Sequence, residues 1–147
     1  MDDLRQRPEI EFLILADRVE AINGKLYMMG GGWDQLTVPD FNQPATIGFA
    51  VGILVPWSET NVEHPINVWL EHEDGTKIPP AIQAKINVGR PPTAIPGQPF
   101  RTLLAVNGTW KLSGPGSYRF LATVGTSEPK RTVFNALGVP VLPGPTR

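Results

Sequence analysis

The stretch Gly114-Pro115-Gly116-Ser117-Tyr118-Arg119-Phe120-Leu121-Ala122-Thr123-Val124 constrains the fold more than any other part of this chain. A Gly/Pro turn leads directly into residues that alternate. Tyr118, Phe120, Ala122 and Val124 share one side, and Ser117, Arg119, Leu121 and Thr123 share the other. Side chains on a strand have period two, so the pattern predicts a half-buried antiparallel strand. The same grammar recurs upstream. Ile66, Val68 and Leu70 alternate with Asn67, Trp69, Glu71 and Glu73, and Asp74-Gly75 turns the chain. Ile82, Ala84, Ile86 and Val88 then alternate with Gln83, Lys85 and Asn87, after a delay expected from Ile78-Pro79-Pro80.

Other segments extend the pattern. Within Ile10–Ile22 the run Phe12–Ala16 is continuously apolar, which suits a strand covered on both faces. Asn23-Gly24 is the pair preferred in a two-residue hairpin turn, and Lys25–Met29 is the predicted return strand. Gly30-Gly31-Gly32 interrupts it, and Trp33–Val38 resumes; three glycines inside a strand pattern predict a bulge or sharp bend. Thr46–Val55 is again apolar on both faces, and Trp57–Pro65 is polar and irregular. Gly89–Pro99 holds four prolines and is a long connection suited to crossing between two sheets. Phe100–Val106 is a strand, Asn107-Gly108 is expected to break it, Thr109–Leu112 is short, and Thr132–Val139 is the last strand. Eight or nine strands without a helix predict an all-β, two-sheet antiparallel β-sandwich, Greek-key or immunoglobulin-like, with a closed barrel as the alternative. Residues 1–8 are expected to be a flexible lead, 9–140 the single sandwich domain, and 141–147 a tail.

Composition agrees. Fifteen glycines and 16 prolines in 147 residues, with 18% charged residues, mean many turns and short elements. A chain of this length buries roughly 68–70% of its unfolded surface and needs no covalent staple. With no cysteine it makes no disulfide, thiolate zinc site or cysteine nucleophile. The net charge of −1 is built from scattered residues, the longest basic cluster being Lys130-Arg131. That is no basic stripe for nucleic acid. The apolar stretches near Phe12–Ala16 and Ile47–Val55 are too short or too interrupted by glycine to span a bilayer, and the polar start has no apolar signal core. A cytoplasmic protein without membrane insertion is expected.

Candidate chemistry is sparse. His64 and His72 read as two unlinked surface residues. Glu71-His72-Glu73-Asp74-Gly75 is similar to a calcium loop in its acidity, but it lacks the required spacing and reads as a solvated hairpin tip. No Gly-x-Ser-x-Gly occurs, and Gly30-Gly31-Gly32 has neither a following Gly-Lys-Ser/Thr nor a following helix, so its role is structural. Asp17-Arg18 follows the most apolar strand and is expected where that strand meets solvent, or as a structural ion pair. Tyr118 is a structural candidate. Trp33 and Trp110 are assigned to the core. Trp69 has outward parity beside Glu71 and Glu73; with Trp57 these residues form the candidate interaction set, because exposed tryptophans are enriched at interfaces.

Three segments carry a resemblance: Leu15-Ala16-Asp17-Arg18; Asn23-Gly24-Lys25-Leu26 leading to Met29-Gly30-Gly31-Gly32-Trp33-Asp34; and Pro115-Gly116-Ser117-Tyr118-Arg119-Phe120. The chain resembles a bacterial family of small uncharacterised proteins, a domain of unknown function, and its late strand also looks like that of immunoglobulin-like sandwiches. The resemblance implies a β-sandwich and no activity. The expectation is therefore a non-enzymatic interaction or self-assembly module, pairing with itself as a homo-oligomer or with another protein. No catalytic residue, metal or cofactor is expected. The alternative is a binding module for a sugar, lipid or small metabolite, and a hydrolase stands third.

Overall fold

The computed structural model describes residues 6–140. Nine strands build them: β1 (Glu9–Ile22), β2 (Lys25–Gly31), β3 (Gln35–Val38), β4 (Ala45–Val55), β5 (Glu63–His72), β6 (Lys77–Asn87), β7 (Phe100–Trp110), β8 (Gly116–Val124) and β9 (Lys130–Gly138). A four-stranded sheet has the order β2-β1-β4-β7, and a five-stranded sheet the order β3-β9-β8-β5-β6. They pack as a sandwich. The first five residues of the expected lead, and the expected tail, lie outside the described residues.

The alternation translates directly into burial. Tyr118, Phe120, Ala122 and Val124 of β8 are all buried, as are Ile66, Val68 and Leu70 of β5 and Ile47, Phe49, Val51 and Ile53 of β4. Aromatic rings fill the centre. Phe120 lies 5.1 Å from Trp110, 5.5 Å from Phe49 and 6.1 Å from Phe134, measured between ring centroids. The Trp110 pair is edge-on, the Phe49 pair tilted and the Phe134 pair stacked, arrangements that suit the ring quadrupoles and add to the gain from burial. The proline-rich connection after β6 carries the chain from the five-stranded sheet to β7 in the other, as its length predicts.

Four expectations are corrected. First, β3 runs parallel to β9, Gln35 opposite Asn135, so the sandwich is not wholly antiparallel. The chain does not resume the β2 strand after the glycines; it leaves for the other sheet, and Gly30 and Gly32, at φ +59° and +81°, make the bend. Second, β7 passes unbroken through Asn107 and Gly108, paired with β4 along its whole length. Third, β5 starts at Glu63, inside the segment expected to be irregular, of which Trp57–Glu59 forms a 3-10 turn. Fourth, β6 starts at Lys77 and includes the cis Pro79–Pro80 pair; the register slips between Val68 and Leu70 to accommodate the extra residues.

The four-stranded sheet has a second hydrophobic layer. After Ala16, β1 parts from β4, and with β2 it bends across the sheet's outer face. Val19, Leu26 and Met28 of this hairpin pack on Ala16, Ala50 and Ala105. Small residues make room for them: the outward side of β4 is Gly48, Ala50 and Gly52, and the Phe12 ring occupies the space a side chain at Gly52 would take. Asn107 fastens the hairpin. Its Oδ1 accepts the Val19 N–H at 2.9 Å and its Nδ2 donates to the Val19 carbonyl at 2.8 Å, replacing two rungs of the missing ladder.

Candidate interaction surface

Among the described residues no strand crosses the outer face of the five-stranded sheet. At its centre Trp69 on β5 stands opposite Leu121 on β8, which stands opposite Arg131 on β9; in the next row Glu71, Arg119 and Val133 align. Trp69 is half-buried, as its outward parity and flanking strands dictate. Its indole Nε1 donates to Glu71 Oε2 at 2.7 Å, and Lys77 Nζ sits 5.4 Å from the ring centroid. Arg119 donates to Glu71 Oε1 from Nη2 at 2.8 Å and from Nε at 3.2 Å. Indole, carboxylate and guanidinium are thus locked in one orientation by charge-assisted hydrogen bonds.

The indole hydrogen bond, and then the Arg119 hydrogen bond, hold the Glu71 carboxyl below its ordinary value. A carboxylate whose folded pKa is depressed stabilises the fold above the unfolded pKa, and that contribution is lost as the pH falls through the folded value. Glu71→Gln is therefore expected to lower stability by about 1 kcal/mol at pH 7, a partly exposed ion pair being worth little more. The gap should close progressively below about pH 4. Urea midpoints of both proteins between pH 7 and pH 3 check this, and a gap independent of pH would refute the assignment.

The remaining candidates occupy other places. Trp57 is half-buried and already engaged, stacked on Phe100 at 6.0 Å with the Arg90 guanidinium 4.0 Å from its ring centroid. Arg90 also donates to Thr60 Oγ1 and to the Trp57 carbonyl, each at 2.7 Å, tying the long connection to the 3-10 turn. Sequence reasoning missed Arg90, since a lone arginine in a proline-rich loop carries no local signal. Glu73 is exposed at the hairpin tip, and the Thr76 backbone N–H holds the Asp74 carboxyl below its ordinary value. Asp17 and Arg18 are exposed, as expected, but do not pair with one another; the nearest acid to Arg18 is Glu20 at 3.7 Å. The Asp17 carboxylate lies where a side chain at Gly30 would stand, so Gly30 is needed for space as well as for its φ. Gly31, in extended backbone, sits against Met28. Tyr118 is structural: its hydroxyl donates to the Gly114 carbonyl at 2.7 Å and receives the Ser113 N–H at 3.2 Å, pinning the turn before β8.

The histidines do not converge. They lie near the start and at the end of β5, about 26 Å apart at about 3.3 Å per residue. His64 is not a surface residue: it is 7% exposed, with Nε2 2.8 Å from the Glu59 carbonyl oxygen. His72 is half-buried, edge-on to Tyr118. Among the described residues no three His, Asp or Glu side chains are grouped to hold a metal, and no helix is long and apolar enough to cross a membrane. One open cleft of about 720 Å³ lies at the end of the sandwich, lined by buried Pro8, half-buried Leu54 and exposed Pro99 and Lys130. Its rim mixes Arg7 and Lys130 with Glu9 and Glu128, so it favours ligands of neither charge.

Fold and surface together define a small all-β sandwich with one sheet face covered by its own hairpin and the other, among the described residues, open. The chain belongs to a family of unknown function (DUF6941), whose model matches residues 11–137. No curated protein matches it.

Proposed function

We propose that the protein is a non-enzymatic interaction module, docking a partner protein of acidic surface on the outer face of its five-stranded sheet. The composition of that face supports this reading. Trp69 and Leu121 lie at the centre, with Lys77, Lys85, Arg119 and Arg131 around them. The acids on these strands' outward positions are Glu63 and Glu71, and each is already paired, with Lys85 at 3.8 Å and Arg119 at 2.8 Å. The surplus charge is positive. Preorganised tryptophan and arginine are the residues that anchor protein interfaces, and the surrounding cations steer an acidic partner and select against a basic one.

The test is capture from a lysate by the parent, by Trp69→Ala and by the pair Lys77→Glu/Arg131→Glu, each checked for folding by circular dichroism. Proteins retained by the parent should be acidic, released by raised salt, and bound at least tenfold more weakly by both variants. Retention of the same proteins by all three forms, or retention of none, would refute the proposal.

A further inference from the structure

A sandwich has edge strands, and an unguarded edge is a template for pairing. Most edges here are guarded. β2 carries Lys25 and bends at Gly30; β3 has four residues; β6 carries Lys77, Pro79, Pro80 and Lys85. The flank of β1 upstream of β2 is closed by the Gly32 N–H on the Leu15 carbonyl and by the Thr132 hydroxyl on the Leu13 carbonyl, at 2.7 and 2.6 Å.

β7 is different. Its 11 residues, FRTLLAVNGTW, include no proline, lysine or acid. The register with β4 has no bulge, so the free edge is regular from end to end. Its one charge, Arg101, is neutralised within the chain by a bidentate pair with Glu11, at 2.7 and 2.8 Å. The inward residues beside this edge are also incompletely covered: Leu104 and Val106 of β7, with Ile82, Ala84 and Ile86 of β6, pack on the core yet remain half-exposed along the flank.

We propose that β7 pairs antiparallel with β7 of a second copy, about a two-fold axis perpendicular to the sheet. Four strands from each copy then form one continuous sheet. Parity restricts the register. The axis keeps inner faces together, so residues that face one another must have the same parity, and the axis must pass through a residue rather than between two. Centring it on Ala105 uses the whole strand. Leu104 then faces Val106 of the second copy, Leu103 faces Asn107, and Ala105 faces itself, where a small side chain permits close approach. The two β6 flanks approach beneath, covering the half-exposed residues. This self-pairing is independent of the Trp69 face.

The chain has no cysteine, so single cysteines report the register without background. Facing residues in an antiparallel pair have Cα atoms about 4.5–5.5 Å apart, within disulfide range. Ala105→Cys should therefore form a disulfide-linked dimer under mild oxidation. Thr109→Cys should not, since it lies eight positions, or about 27 Å, from its own copy. Light scattering should give the parent a mass of twice 16.1 kDa at micromolar concentration. Leu103→Lys, at a half-exposed position outside both hydrophobic clusters, should weaken dimerisation at least tenfold while leaving the circular dichroism spectrum unchanged. A monomer at all concentrations, or equal cross-linking at both cysteines, would overturn the proposal. So would a dimer that survives Leu103→Lys and is lost in Trp69→Ala; that result would place self-association on the other sheet's face.

Discussion

Trp110→Ala is expected to cost about 3–5 kcal/mol, the range for deleting a large buried aromatic. In a domain of this size that corresponds to a melting temperature roughly 10–15 °C lower. Three losses combine. The indole is 1% exposed and packs edge-on to Phe120 at 5.1 Å and tilted to Phe49 at 6.2 Å, so its removal opens a cavity between the sheets. Its Nε1 donates to the Pro80 carbonyl at 3.0 Å, linking β7 to β6 across the flank of the sandwich. It also covers Gly108, whose missing side chain leaves the space the ring occupies. Chemical denaturation of the variant beside Trp69→Ala gives the comparison. Trp69 stands on an open face, and its truncation should cost less than half as much. A loss below about 1 kcal/mol for Trp110→Ala would mean that the core is not packed as described.

The contrast between these two tryptophans was legible in the sequence. Parity along β5 and the pattern after Asp74-Gly75 place Trp69 outward, and the same period-two reasoning recovers the inward residues of β4, β5 and β8. What parity could not convey was which outward face would be covered. In β4 the residues between Ile47, Phe49, Val51 and Ile53 are Gly48, Ala50 and Gly52. A strand apolar on both faces was the correct reading, but the smallness of one face also meant that another layer lay close against it. That layer is the second half of β1 with β2, far from β4 in sequence. The Asn107-Gly108 pair misled for a related reason. It has the chemistry of a turn, yet here the asparagine amide is spent on a neighbouring backbone and the glycine on making room for an indole. Local propensity describes what a dipeptide does alone; both residues answer to partners distant in the chain.

The two interaction proposals fit one geometry. A two-fold axis perpendicular to the four-stranded sheet leaves both five-stranded sheets on the same side of the dimer. Two Trp69 faces would then be presented in parallel. A partner with repeated acidic sites would gain avidity from such a pair, its second contact becoming intramolecular. Leu103→Lys would in that case weaken capture of a bivalent partner while leaving the single-site affinity of the Trp69 face unchanged.

Asn107→Ala is expected to lower stability by about 2–4 kcal/mol, well beyond its share of buried area. The asparagine is exposed on one side, but its amide is the partner of both the N–H and the carbonyl of Val19, a residue 1% exposed. Truncation strands two backbone groups, each costing about 1–3 kcal/mol when left unpaired, less whatever water reaches them. The damage should be local. Val19, Leu26 and Met28 belong to the outer layer, not to the central core, so the β1–β2 hairpin can lift while the two sheets remain packed. Hydrogen exchange should therefore show protection falling through residues 17–31 before it falls in β4, β5 or β8. Asn107→Asp should behave almost as badly, because a carboxylate accepts the Val19 N–H but repels its carbonyl. Gly48→Ala probes the same clasp from beneath, since a methyl group there would stand 2.9 Å from Asn107 Oδ1. If exchange instead accelerates uniformly across both sheets, the hairpin is part of the cooperative core, and the clasp is not what holds it down.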